Sequence, residues 1–144
     1  MKIYLDNCCF NRPFDDQSQL RVRLETEAKL KIQEDIRSDS HNLIWSYILD
    51  YENSKNPFRE RQGQIAKWRA YSTLDIEEDE EVLRVAAIVN QHGIKPIDSL
   101  HIACAIKAGA DYFLTTDDGV LKKAAFVKNI QITDPIGFIK EVPA

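Results

Sequence analysis

The sequence is short of cysteine, glycine, proline and positive charge, and each shortage excludes something. Its three cysteines, with Cys8 and Cys9 adjacent, form no C-x-x-C pair and stand in no His-rich spacing. A zinc site and a disulfide framework are therefore not expected, and reduced, partly buried thiols are. Five glycines and five prolines in 144 residues exclude a collagen-like chain, and no internal period marks a repeat array. No apolar run approaches the roughly 18 residues of a membrane helix. Met1-Lys2-Ile3-Tyr4-Leu5-Asp6 reaches an acid too early for a signal peptide. A cytoplasmic protein with no membrane partner is the expectation. Lys and Arg number 19 against 23 Asp and Glu, a formal net charge of −4. That disfavours a protein that coats duplex nucleic acid by bulk charge, but not an enzyme with a basic patch beside an acidic centre.

What is present is an ordinary globular composition, 44% hydrophobic and 29% charged. It suits one domain over residues 1–144 with a sizeable core. Lys2-Ile3-Tyr4-Leu5 reads as a short buried strand and Asn11 to Asp16 as a loop broken by Pro13. Leu20, Leu24, Ala28, Ile32 and Ile36 recur at helical spacing and predict a helix from Ser18 to Arg37. A strand at Leu43-Ile44-Trp45 precedes helices over Tyr47 to Asn53 and Arg59 to Tyr71, the latter with Ile65, Ala66 and Trp68 inward. The acidic run Asp75 to Glu81 opens a helix carrying Val82, Val85, Ala86 and Val89 on one face, consistent with the macrodipole, and His92-Gly93 ends it. A helix over Asp98 to Ala108, a strand over Asp111 to Thr116, a short helix over Gly119 to Ala125, a strand over Asn129 to Ile132 and a helix over Pro135 to Glu141 complete the chain. Strands alternating with helices imply an α/β fold with a mostly parallel sheet.

That topology makes a geometric claim, because parallel α/β folds bind ligands beyond the carboxyl ends of their strands. Asp6 follows the first strand there and Asp117 follows the strand around Phe113. Asp98 opens a helix that begins at the same edge, and Glu52 lies within two turns after the strand Leu43-Ile44-Trp45. Each has a plainer explanation alone: Asp98 as an N-cap, Asp117 or Asp118 as the cap of the next helix, Glu52 as a solvated residue. Asp6 is the hardest to dismiss, since a buried strand rarely ends in an unpaired acid. Four converging carboxylates must protonate or bind a cation. Oxygen-only ligands suit Mg²⁺ or Mn²⁺, which engage phosphates and activate water. The chemistry points to metal-assisted phosphoryl transfer, most naturally on nucleic acid, with Asp6, Asp98 and Asp117 as metal ligands and Glu52 completing the cluster.

The same residues resemble the PIN-domain family and, within it, the VapC-like toxin ribonucleases, over nearly the whole chain. Ile3-Tyr4-Leu5-Asp6 is similar to the family's first acidic motif. Ser46-Tyr47-Ile48-Leu49-Asp50-Tyr51-Glu52 is similar to its second, with Glu52 as the acid and Asp50 as a substitute. Pro96-Ile97-Asp98-Ser99-Leu100-His101 is similar to the third, and Leu114-Thr115-Thr116-Asp117 to the fourth. The resemblance implies a PIN-like three-layer fold with helices flanking the sheet. It also implies a Mg²⁺- or Mn²⁺-dependent endoribonuclease acting on RNA, a protein antitoxin as partner, and a homodimer. Two departures bear on substrate choice. Asn7 stands where a hydroxyl residue is common, and Cys8 to Asp16 is unlike the commonest members.

Further candidates surround these four. Arg12 is placed to meet a substrate phosphate or, more plainly, to pair with Asp15 or Asp16. Thr115 and Thr116 suit hydrogen bonds to a metal-bound water, and Asp118 adjoins the fourth acid. His101, one turn after Asp98, reads as a satisfied helix-face histidine rather than a general base. Two basic groups, Arg12, Arg21 and Arg23 and then Lys122, Lys123 and Lys128, are candidates for capturing a polyanion. The competing class is a non-cleaving PIN-like module that grips RNA or a protein. A receiver-like phosphoacceptor would want an acidic pair after the first strand, and a haloacid-dehalogenase-like phosphatase a second Asp at the position of Cys8.

Overall fold

The computed structural model describes residues 1–142. A five-stranded sheet in the order β3-β2-β1-β4-β5 forms its centre. The strands are β1 (Lys2–Leu5), β2 (Asn42–Ser46), β3 (Ser72–Ile76), β4 (Tyr112–Leu114) and β5 (Gln131–Thr133), and all four pairings are parallel. The helices are α1 (Asn7–Asn11), α2 (Leu20–Arg37), α3 (Tyr47–Ser54), α4 (Arg59–Ala66), α5 (Glu80–Asn90), α6 (Pro96–Lys107), α7 (Asp118–Leu121) and α8 (Pro135–Glu141). Parallel strands need crossover connections, and right-handed crossovers leading outward in opposite directions from β1 put helices on both faces. The closing helix α8 packs on α2, and α5 packs on α6. None of these helices is long and apolar enough to cross a membrane.

The central strands are buried on both faces, so they read as continuous apolar runs rather than alternating ones. Ile3, Tyr4 and Leu5 of β1, Leu43, Ile44 and Trp45 of β2, and Phe113 and Leu114 of β4 are fully enclosed. Phe10 packs edge-on against Trp45, and Tyr4 stacks on Phe113. The edge strand β3 is largely exposed. It carries Thr73 and Asp75 on a strand whose outer side pairs with nothing among the described residues, a composition that protects a sheet edge.

Several expectations need correction. The stretch after Asp6 is a helix, α1, followed by a 3-10 turn over Arg12–Phe14, not a plain loop. In α2 the predicted apolar stripe holds at Ile32 and Ile36 but fails at Leu20 and Leu24, which are exposed, and Val22, Glu25, Thr26, Lys29 and Gln33 face inward as well. Pairing makes this affordable. Arg12 Nε donates to Glu25 Oε1 at 3.0 Å, and the Lys29 ammonium lies 5.2 Å from the Phe10 ring centre and 5.6 Å from that of Trp68. The segment 59–71 divides into α4 and a 3-10 turn (Lys67–Tyr71), and Ala66 is exposed. The acidic run also divides. Asp75 and Ile76 end β3, and α5 starts at Glu80 under an Asp79 cap whose carboxylate accepts from Val82 N at 2.8 Å. Asp98 is not the N-cap of α6: Lys95 is, with Pro96 in the first turn. The segment 119–125 divides into α7 and a 3-10 turn (Ala124–Phe126).

Candidate active site

The connections leave β1 toward β2 on one side, while β4 lies on its other side. This is a topological switch point, where open α/β sheets form a crevice beyond the strand ends. Asp6 stands at that end of β1, where its backbone N–H donates to Leu114 O at 2.9 Å. Thr115, Thr116 and Asp117 leave the neighbouring β4. Asp6 is 3% exposed and well held. Its Oδ1 accepts from Asn7 N at 2.8 Å, capping α1, and its Oδ2 accepts from Thr115 Oγ1 at 2.9 Å. The Thr115 hydroxyl in turn accepts from Asp117 N at 3.1 Å. One threonine thus ties the acid of β1 to the acid after β4. Cys8 closes the same corner: its Sγ lies 3.5 Å from Asp6 Oδ2 and accepts from Thr116 N at 3.3 Å.

Asp117 caps α7 through Oδ1, which accepts from Gly119 N at 2.7 Å and Val120 N at 3.3 Å. Its Oδ2 takes no hydrogen bond among the described residues, so the cap leaves one oxygen available. A Cβ on Gly119 would stand 3.0 Å from Asp117 Oδ1, so a larger residue there would crowd the cap. Asp98, in the first turn of α6, shares a cleft of about 230 Å³ with Asp117, lined also by Lys95 and Gly93. Burial, then the charges of Asp6 and Asp117, with Glu52 adding to them and His101 opposing, push the Asp98 carboxyl up to about 6. A carboxyl raised by its neighbours is the electrostatic signature of clustered acids.

Glu52 arrives from α3. Its Oε1 is hydrogen-bonded to His101 Nε2, and the same nitrogen lies 3.7 Å from Asp6 Oδ1. His101 Nδ1 lies 2.6 Å from Tyr4 OH, which lies 2.6 Å from Ser46 Oγ. Asp6, Glu52 and His101 each offer a ligand atom within 4.8 Å of the others. Asp98 and Asp117 bring further oxygen on the cleft side. The carboxylate oxygens of this set suit a hard divalent cation, whereas His101 Nε2 is engaged by Glu52; partly desolvated acids leave negative charge that a cation offsets.

Of the four acids singled out from the sequence, Asp98 and Asp117 line one cleft, Glu52 lines a neighbouring one, and the buried Asp6 is tied to Asp117 through Thr115 and stands beside Glu52 and His101. The others are placed differently. Arg12 is bound by Glu25 and by Asp15 at 3.1 Å, away from the cluster. Asp118 forms a two-point pair with Arg21 at 2.8 and 3.0 Å, which holds its carboxyl below the ordinary range. Thr116 is buried, and its carbonyl accepts from Arg21 at 3.2 Å. Of the two basic groups, Arg12 and Arg21 are occupied by acids, whereas Lys123 lies beside Gly93 at the rim of the Asp98–Asp117 cleft. Sequence reasoning missed the link made by Tyr4, Ser46 and His101. Its signal was His101 three residues after Asp98, on the same helical face.

An all-parallel α/β domain with acids beyond the carboxyl ends of its central strands is the class this fold defines. The chain belongs to the PIN domain family, whose model matches residues 3–127. Among solved structures it is similar to VapBC2 from Rickettsia felis, crystallised bound to a DNA fragment from their promoter. The two share 14% identity, cover 93% of this chain and 98% of that one, and superpose with a TM-score of 0.58. At that identity the likeness is one of fold. A comparison with curated proteins finds no match.

Proposed function

We propose that this protein is a metal-dependent endoribonuclease and the toxin of a toxin–antitoxin pair, acting in the cytoplasm. The observation that carries the reading is the grouping of Asp6 and Glu52 about His101, with Asp117 tied to Asp6 through Thr115 and Asp98 sharing a cleft with Asp117; the raised Asp98 carboxyl is consistent with it. PIN membership supports nuclease chemistry. The fold shared with a VapBC2 structure supports an antitoxin partner. The exposed Leu83 and Ile88 of α5 offer apolar area for a homodimer.

In this reading Asp6, Asp98 and Asp117 hold Mg²⁺ or Mn²⁺, with Glu52 completing the set. Such an ion, when bound, offsets phosphodiester charge and lowers the pKa of water. The chain's own residues do the positioning. Thr115 orients Asp6, the α7 cap fixes Asp117, and His101 aims Glu52 toward Asp6. Lys95 and Lys123 lie near the cleft, where cations favour a polyanion's approach.

The test is cleavage of single-stranded and structured RNA with Mg²⁺, Mn²⁺ or chelator, comparing the parent with Asp6→Asn. Cleavage that needs metal and falls by at least about 100-fold in Asp6→Asn is expected. RNA binding with no cleavage under any metal would instead favour a non-cleaving PIN module.

A further inference from the structure

Beside the acid cluster, on the side of α3 and α4, lies a second cleft of about 230 Å³ that contains Glu52, Asn7, Lys55, Phe58 and Arg61. Its lining includes the exposed Phe58 ring and the cations Lys55 and Arg61, which also contact the rings of Tyr51 and Phe14 outside it. The Arg61 guanidinium carbon lies 4.7 Å from the Phe58 ring centre and 5.4 Å from that of Phe14. Lys55 Nζ lies 5.4 Å from the Tyr51 ring centre. Phe58 is 57% exposed, Tyr51 50% and Phe14 41%. Large exposed rings are costly in water unless something covers them in use.

Phe58 is also held in place. Pro57 fixes the chain before it, and Asn56 Oδ1 accepts from Phe58 N at 3.1 Å. Asn56 Nδ2 in turn donates to Asn11 Oδ1 at 3.3 Å. Arg61 is positioned by Phe14 O, to which it donates at 2.8 Å, and by Asp15 at 3.5 Å. Rings and cations are thus ordered before any ligand arrives, which lowers the entropy cost of binding.

We infer that Phe58, with Phe14, Arg61 and Lys55, forms a stacking platform for an unpaired nucleobase of single-stranded RNA, next to the phosphate presented to the acid cluster. The inference rests on the nuclease reading and deepens it. Glu52 lines this cleft and is hydrogen-bonded to His101, whose Nε2 lies 3.7 Å from Asp6 Oδ1, so a strand engaged at the cluster passes the platform within a nucleotide or two. Aromatic faces accept any base, while Lys55 and Arg61 face its backbone charge. Within a duplex the base faces are buried against their stacked neighbours, so the platform selects unpaired segments.

The experiment uses Asp6→Asn protein, so that binding is read without cleavage, and measures anisotropy of a labelled twelve-nucleotide oligouridylate. Adding Phe58→Ala should weaken binding about 10-fold, whereas Phe58→Trp should hold it within about twofold. Adding Arg61→Gln should lower the log–log salt slope by roughly 0.7. A fully paired RNA duplex of equal length should bind about 10-fold less tightly than the oligouridylate, with little response to Phe58→Ala. In otherwise parental protein, Phe58→Ala should raise KM with little change in kcat. Phe58 is exposed, so a thermal melt within about 2 °C of the parent is expected and checks folding. Unchanged oligouridylate affinity in Phe58→Ala would overturn the platform and assign this face to a protein partner. Absence of cleavage in the parent, with Phe58-dependent binding intact, would overturn the nuclease reading but not the platform.

Discussion

Lys29 is a buried cation with no carboxylate in ion-pair range among the described residues, and this makes the pH dependence of stability predictable. It is 3% exposed, set between Phe10 and Trp68. Desolvation, with Arg37 adding to it and Cys9 opposing, lowers its ammonium from 10.5 to about 7. The unfolded chain therefore binds a proton that the folded chain does not hold between about pH 7 and 10.5. Stability rises with pH across that window and levels off below it. Each unit of difference corresponds to 1.36 kcal/mol, so the contribution recovered from pH 7 to pH 9 is about 2 kcal/mol, or about 6 °C in Tm. Lys29→Met keeps the length of the side chain and its contact with both rings, and it removes the proton. Urea unfolding of both proteins at pH 7 and pH 9, with reductant, reads the difference. The parent should gain about 2 kcal/mol more than Lys29→Met over this interval. Parallel gains in the two proteins would falsify the assignment, since all other titrating groups are common to both.

Other outcomes follow from the site. Saturating Mn²⁺ should raise the Tm of the parent by several degrees over chelator, about 2–3 kcal/mol at 100-fold excess over Kd, and Asp6→Asn should abolish most of that rise in a thermal melt. Thr115→Val removes the hydroxyl that donates to Asp6 Oδ2 at 2.9 Å, so calorimetric titration should show Mn²⁺ affinity lower by about 10- to 100-fold. Arg21→Ala breaks a solvent-exposed pair with Asp118. It should leave the Mn²⁺ response intact in a thermal melt, and loss of that response would show that Arg21 supports the centre.

Legibility in the sequence followed burial and pairing. The strands Lys2–Leu5 and Asn42–Ser46 were readable because both of their faces are enclosed, so each shows an unbroken apolar run. Pro135–Glu141 was readable because Asp134 and Pro135 mark its start. β3 was hidden because an edge strand with one open side needs no apolar alternation, and Asp75 made it look like the start of a helix. The inner face of α2 is legible at Ile32 and Ile36 but not along the rest of the helix, because it also includes Glu25, Lys29 and Gln33, whose burial depends on partners elsewhere in the chain. The acids stand out in the sequence through their position after strands and at helix starts. From sequence Arg12 reads more plainly as a partner of Asp15 or Asp16, and it does pair with Asp15, while Asp118 reads as a neighbour of the fourth acid. Their fate was decided by Glu25 and Arg21, whose reach across α2 no local spacing reveals.

The buried polar chain from Ser46 through Tyr4 and His101 to Glu52 explains why the cluster sits where it does. Ser46, Tyr4 and His101 are fully enclosed, and burial pushes the Tyr4 hydroxyl far above its ordinary range, so it stays neutral and able to donate. Apolar side chains of equal volume would pack there without the desolvation cost. They would not hold Glu52. It lies on α3, whereas Asp6 follows β1, and like charges on separate elements drift apart unless something fixes both. His101 does so from α6: one ring nitrogen is engaged by Tyr4 and the other faces Glu52 and Asp6. The imidazole therefore converts the rigidity of the sheet core into a fixed separation between two acids. The repulsion that remains falls on Asp98, at the open side of the cleft, where a cation can relieve it.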